Sequence, residues 1–241
     1  AAKISPLQLA DARAEAAAGA VKSAKARVVT KGDISLALAG TGEGWELGAH
    51  HDAPGTNTLF IVPQLAFMQR DGRAGAFAKP EGFARFLGEL LGTTLSGVLG
   101  GPKRVRDVAG ITLVAHSAGF TAALAILERG GVSDKVKNVV LLDALYGGTA
   151  AYARYARAHV PSGLRLVSLH LGLGDPAREN RALYKSLRRS LGKERVVKAN
   201  ADELPNAIAK HAVVIGMGRL PHARMPQNHM ADILRALLSS T

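Results

Sequence analysis

The sequence predicts an α/β protein in which a mostly parallel central sheet of about seven or eight strands carries helices on both faces. Three observations predict this class. After residue 58, short β-branched apolar runs alternate with helical segments, which favours parallel strands joined by crossover helices. A strand in the middle of the chain runs directly into a tight turn and a helix. The length of 241 residues is sufficient for one α/β domain with a large core.

Residues 1–29 are predicted to form a helical segment that packs on the body of the protein. Residues 5–27 are rich in alanine, their apolar positions recur with a helical period, and Ser5-Pro6 is a favourable helix start. Residues 30–241 contain no low-complexity linker, so we expect them to form a single domain.

An antiparallel hairpin is predicted at the start of this domain. Residues 33–39 alternate apolar and polar side chains, Gly40 to Gly44 form a turn, and residues 45–50 return as a second strand. The glycine turn superficially matches a dinucleotide-binding loop. No helix opens after it, so a nucleotide cofactor is not expected.

The rest of the chain alternates between strands and helices. Strands are predicted at residues 58–62, 110–115, 138–142, 164–170 and 212–216, and helices at 83–99, 120–128, 149–158, 178–191 and 232–238. Residues 64–82 and 144–162 follow strand ends on one side of the sheet, so both segments are candidates for a cap.

The most informative run is Ile-Thr-Leu-Val-Ala-His-Ser-Ala-Gly at residues 111–119. Ser117 lies at the apex of the turn, and the residues two before and two after it, Ala115 and Gly119, are small, as a tight turn requires. Strand, sharp turn and helix are the parts of a nucleophile elbow, and the helix N-terminus favours developing negative charge. Ser117 is therefore the candidate nucleophile. The alternative is that Ser117 only caps the following helix.

With these elements placed, residues 30–240 resemble an α/β-hydrolase. The resemblance rests on the elbow Ala115–Gly119, on an acidic residue at a later strand end, and on a histidine after the last strand, in that family's order. Ala115 replaces the first glycine of the usual Gly-X-Ser-X-Gly pattern. Only one strand-and-helix unit separates Pro63 from the elbow, so one of the family's eight strands is expected to be missing. No subfamily is identified.

The resemblance implies a base and an acid that act with Ser117. His222 directly follows the last predicted strand, where the family keeps its catalytic histidine, and His229 is the second candidate. His211 precedes that strand and is expected at the wrong end of the sheet. The acid is either Asp143, at the end of one strand, or Asp175, after the next; the sequence leaves both open.

The resemblance also implies an oxyanion hole built from two backbone N–H groups. One is that of Ala118, and the other is expected from Gln64 or Leu65, because Pro63 has no N–H. No metal is expected. His50 and His51 are adjacent on a predicted strand and would point to opposite faces.

The chain is basic, with a net charge of +12 and no cysteine. No nucleic-acid-binding motif accompanies the charge, so no nucleic acid partner is expected. Arginines and aromatic residues in both cap segments indicate an acyl substrate with an acidic group and an apolar part; alternatively they only pack and solvate the loops. No stretch has the length of a membrane span. A start without methionine favours an exported protein over a cytoplasmic one.

The resulting functional prediction is a serine hydrolase that cleaves a carboxylic ester through an acyl-enzyme. An amidase or peptidase of the same fold, acting on a peptide-like substrate, is the second possibility. The third is a protein of the same fold that binds without cleaving. The oligomeric state is not predicted.

Overall fold

Seven parallel strands form one sheet in the order β2-β1-β3-β4-β5-β7-β6. The computed structural model describes residues 33–38, 48, 51, 58–63, 65, 72–219 and 221–238. The strands are β1 (Asp33–Leu38), β2 (Thr58–Ile61), β3 (Ile111–His116), β4 (Val136–Leu142), β5 (Arg165–His170), β6 (Val196–Ala199) and β7 (Val213–Met217). The α/β class and the mostly parallel sheet are confirmed, and the resemblance to the α/β-hydrolases stays a prediction.

Helices cover both faces of the sheet, as predicted. They are α1 (Gly82–Glu89), α2 (Phe120–Arg129), α3 (Thr149–His159), α4 (Gly174–Leu191), α5 (Leu204–Lys210) and α6 (Met225–Leu238). Helices α1 to α4 share one apolar cluster with alternate strand residues such as Leu113. Helices α5 and α6 share the other cluster with the intervening residues, such as Val114.

The side on which each helix lies follows from the strand order. A right-handed crossover places its helix on one face when the chain moves across the sheet in one direction, and on the opposite face when the chain moves back. The chain advances from β2 to β3, β4, β5 and then β6, so α1 to α4 lie on the same face. It then returns from β6 to β7, and α5 is therefore on the other face.

The predicted antiparallel hairpin at residues 33–39 and 45–50 is wrong. Strand β1 is paired in parallel with β2 on one edge and with β3 on the other, so it has no free edge for a hairpin partner. Adjacent parallel strands need a crossover connection, and Gly48 and His51 in this connection are helical. The segment is too short for its alternation to separate a strand from a helix.

Strand β6 and helix α5 were not anticipated by the sequence patterns. Strand β6 has only four residues, lies at the sheet edge and carries the exposed Lys198, which weakens its apolar signal.

Several helix limits also differ from the predicted ones. Helix α1 ends at Glu89 and passes into a π-helical turn at Leu90–Thr94, α4 begins at Gly174, and α6 begins at Met225. The predicted helix at residues 5–27 lies outside the described residues.

The segment 144–162 is largely part of the body and not a cap. Helix α3 occupies most of it, and Tyr152 and Tyr155 are buried in the core. Arg154 of α3 pairs with Glu128 of the neighbouring helix α2 at 2.6 Å. In the other candidate segment, 64–82, Phe77 is buried and packs edge-on against a phenylalanine of α1. Residues 64 and 66–71 of this second segment lie outside the described residues, so a cap there stays a prediction.

Candidate active site

The Ser117 turn has the geometry of a strained elbow. Strand β3 ends at His116, the 3₁₀ turn Ser117–Gly119 follows, and α2 begins at Phe120. Ser117 has a φ of 53°, in the left-handed region that a residue with a side chain seldom adopts. Strands β1 and β3 are neighbours in the sheet, but the chain continues from β1 to β2 in one direction and from β3 to β4 in the other. The elbow at the end of β3 lies beside this switch point. In parallel sheets such a switch point is where ligands bind.

The loop before α1 packs directly against the elbow. A Cβ atom on Gly72 would lie 2.3 Å from the carbonyl oxygen of Ala118 and 2.7 Å from its Cβ, and the φ of Gly72 is +63°. The single proton of the Thr121 hydroxyl is shared between the Gly72 carbonyl and the Ala118 carbonyl, the latter at 3.1 Å. This close approach fixes the backbone at Ala118, whose N–H is one of the predicted oxyanion donors.

The second oxyanion donor stays a prediction. Leu65 is half-buried and packs against the apolar core, so its segment is anchored near the end of β2. Gln64 lies outside the described residues.

Asp143 and His222 are joined by a short hydrogen bond. Asp143 directly follows β4, has a φ of 45° and is buried, and its Oδ2 accepts from His222 Nδ1 at 2.6 Å. Its Oδ1 accepts from the Leu171 N–H at 3.3 Å, and its own N–H donates to the Leu169 carbonyl at 2.9 Å. Because Nδ1 of the neutral imidazole donates, Nε2 is the unprotonated nitrogen of His222 and can accept a proton.

The other candidates are held elsewhere. Asp175 lies in the first turn of α4, where its exposed carboxylate pairs with Arg178 at 2.6 Å. His229 is buried in α6, its Nε2 accepts from the Arg219 N–H at 2.9 Å, and burial lowers its pKa. His211 lies at the opposite end of β7 with its ring against the Glu194 carbonyl. Of the two acids, only Asp143 contacts His222.

His116 supports the His222 ring, a contact that the sequence patterns did not indicate. Its ring centroid lies 4.5 Å from that of His222. Its Nε2–H donates to the backbone carbonyl of His222 at 2.9 Å. Burial, and secondly the nearby His222, lower the pKa of His116 to about 4, so the side chain is neutral at pH 7. In the sequence, the feature that could have pointed to a role for His116 was its position directly before Ser117.

Tyr146 connects the serine to the histidine. Its hydroxyl lies near the Ser117 side chain, and its ring lies edge-on to the His222 ring at 6.4 Å between centroids. Burial and the Asp143 carboxylate raise the pKa of Tyr146, so the phenol keeps its proton. The sequence indicated Tyr146 only as one of several aromatic residues in segment 144–162.

Exposed apolar side chains surround this edge of the sheet. The large apolar residues that are exposed in the described part of the chain all follow or end strands at their carboxyl ends: Val62, Tyr146, Leu173 and Met217. Leu173 is the most exposed, at 76%. Because single apolar residues are commonly exposed, their shared location is the informative feature.

Within the described residues, no three histidine, aspartate or glutamate side chains are grouped closely enough to hold a metal ion. Likewise, none of the helices in that part of the chain has the length and apolar character needed to cross a membrane.

Comparisons with known proteins bear on the fold. No family model matches the chain, and no curated protein matches it. The chain is similar to an uncharacterized protein from Bacillus cereus ATCC 10987, whose crystal structure has a resolution of 2.75 Å. The TM-score is 0.53 and the sequence identity 10%, with coverage of 94% of this chain and 68% of that chain. At this identity the likeness shows the α/β fold alone.

Proposed function

We propose that the protein is a serine hydrolase that cleaves a carboxylic ester through an acyl-enzyme. The observation that carries the proposal is the 2.6 Å hydrogen bond between Asp143 and His222, whose ring lies edge-on to that of Tyr146. A buried carboxylate needs a partner, and an imidazole N–H that is held in one tautomer by this carboxylate is suited to act as a base.

The proposed reaction has two steps. His222 Nε2 takes the proton from the Ser117 hydroxyl as the oxygen attacks the acyl carbon, and the proton then passes to the departing alcohol. Water, activated by His222 in the same way, cleaves the acyl-serine and releases the acid. The Asp143 carboxylate stabilises the imidazolium that forms in each step.

The oxyanion of each tetrahedral intermediate needs hydrogen-bond donors. The Ala118 N–H in the turn before α2 is one, and the Tyr146 hydroxyl near Ser117 is available as another. Because Tyr146 keeps its proton, it can donate to an oxygen that develops negative charge.

The sheet edge that carries Ser117 favours an acyl group with apolar character. Val62, Leu173 and Met217 offer exposed apolar contact area at strand ends along this edge. An ester is favoured over an amide because an alkoxide needs less help to leave than an amine does. An amidase or peptidase is the alternative that a substrate panel separates.

The test is labelling with a fluorophosphonate, which reacts with activated serines. The wild-type protein should label, whereas Ser117→Ala and His222→Ala should not. Ser162→Ala, which changes an exposed serine, and His211→Ala, at the opposite end of the sheet, are matched controls and should label normally. A folded wild-type protein that does not label would overturn the proposal and favour a binding function.

A further inference from the structure

A cleft lies on the same edge of the sheet as the proposed nucleophile. Its volume is about 320 Å³, and it is formed between α4 and the carboxyl ends of β5, β7 and β6. The residues that matter here are His170, Arg181, Tyr184, Lys198, Glu203 and Met217. Two strand spacings, or about 10 Å, separate β5 from β3, which ends at the elbow.

The charge of this cleft is positive. Among the described residues, neither Arg181 nor Lys198 has a carboxylate partner within ion-pair distance. Glu203 is the one acidic residue of the lining, and its carboxylate accepts a hydrogen bond from the Asn200 N–H at 3.1 Å. Two cationic side chains therefore line the cleft together with one carboxylate, which already accepts a backbone hydrogen bond.

His170 is one of the residues that line the cleft. Burial is the main cause that lowers its pKa; the Asp143 carboxylate acts in the opposite direction, and the charges of Arg181 and Lys198 add to the lowering. Its Nδ1 accepts from the Gly172 N–H at 2.9 Å. The neutral ring therefore carries its proton on Nε2, which is a further donor.

The cleft also has aromatic and apolar walls. The Lys198 ammonium lies 4.7 Å from the centre of the Tyr184 ring, a contact that holds the cation at the cleft. Met217 is half exposed and packs close to Gly172, whose Cβ, if present, would lie 3.2 Å from the Met217 methyl. Met217 thus adds exposed apolar surface at the carboxyl end of β7.

We infer that this cleft binds a carboxylate or phosphate group at the far end of the substrate whose acyl carbon is attacked by Ser117. The inference rests on the proposed function. Arg181 and Lys198 supply the charge, and the apolar residues between the cleft and the elbow suit a chain that connects the two groups. An extended eight-carbon chain, at roughly 1.2 Å per bond, spans the distance from β3 to β5, the strand of the cleft nearest to the elbow; Lys198 on β6 lies two strand spacings further away.

The kinetic test compares p-nitrophenyl octanoate with the p-nitrophenyl monoester of suberic acid, which has the same length and a free carboxylate. Wild-type protein should prefer the suberate ester by about tenfold in kcat/KM, as expected for a charged hydrogen bond. Replacing both Arg181 and Lys198 with Met should abolish the preference and leave the octanoate rate unchanged. The matched control is Arg189→Met with Lys193→Met, which removes the same charge from exposed positions and should keep the preference.

A binding test does not depend on catalysis. Calorimetric titration with octanoate, octyl phosphate and neutral octanamide should show that the anions bind about tenfold more tightly than the amide, and only while Arg181 and Lys198 are present. Tighter binding of octyl phosphate assigns the site to phosphate, and tighter binding of octanoate assigns it to carboxylate. Equal binding of all three compounds would overturn the inference.

The two proposals fail in different ways. A protein that labels with fluorophosphonate and hydrolyses both esters equally would retain the hydrolase function and lose the anion site. A protein that binds the anions through Arg181 and Lys198 without any labelling would retain the anion site and lose the hydrolase function.

Discussion

The buried His116 should make the protein less stable as the pH falls below about 7. Its pKa is about 4 in the folded protein, because of burial and secondly because of His222, against 6.5 for the exposed side chain. The unfolded chain therefore takes up a proton first as the pH decreases. Stability should fall between about pH 6.5 and pH 4 and change no further below that range through this residue.

The size of the effect follows from these two pKa values. Each pH unit between them costs about 1.4 kcal/mol of unfolding free energy. Between pH 7.5 and pH 5.0, the linkage relation gives a loss of about 2 kcal/mol from His116. His116→Gln should remove this loss, because glutamine does not titrate and its amide can still donate to the His222 carbonyl.

The assay is urea unfolding of both proteins at pH 7.5 and pH 5.0, with the free energies extrapolated to water. Other histidines with a lowered pKa, such as His170 and His229, contribute to both proteins and cancel in the comparison. The wild-type protein should lose about 2 kcal/mol more than the variant on acidification. An equal loss in the two proteins would refute the assignment of a neutral buried His116.

Three further predictions concern the candidate site. Asp143→Asn should lower kcat by about 10⁴-fold, whereas Asp175→Asn should stay within about twofold; similar losses would contradict Asp143 as the orienting acid. Gly72→Ala should lower the unfolding free energy by about 2 kcal/mol, because its Cβ would lie 2.3 Å from a backbone oxygen. Gly88→Ala, in a helix with open space, is the control, and equal stability of the two variants would contradict the close packing. Tyr146→Phe should lower kcat by about tenfold with little change in KM, and an unchanged kcat would show that the hydroxyl takes no part in the reaction.

The elbow was predictable because its signal is local. Ala115, Ser117 and Gly119 are close in sequence, and a strand, a turn and a helix follow one another without a break. The α/β class was predictable for a similar reason, since buried parallel strands are short continuous apolar runs. The connection between β1 and β2 was not, because a short segment with glycines fits more than one element.

The contact between His222 and Asp143 joins residues that are 79 positions apart. The sequence placed both Asp143 and Asp175 after strands, and each had a plausible role. Their difference arises from the packing: Asp143 is buried at the end of β4, while Asp175 lies at the exposed first turn of α4 beside Arg178. Burial and pairing depend on neighbours from other elements, so no local pattern distinguishes the two.

The sequence by itself determined the α/β class, the helices on both faces and the tight turn at Ser117, because these depend on residues that are near one another along the chain. The tertiary structure alone decided which acid contacts His222, brought His116 and Tyr146 to it, and placed β7 between β5 and β6. The last feature forms the cationic cleft from Arg181 and Lys198, which lie on elements without a common sequence signal. These contacts form only when distant strands end at one sheet edge, about 4.8 Å apart, and that order is a property of the packed chain.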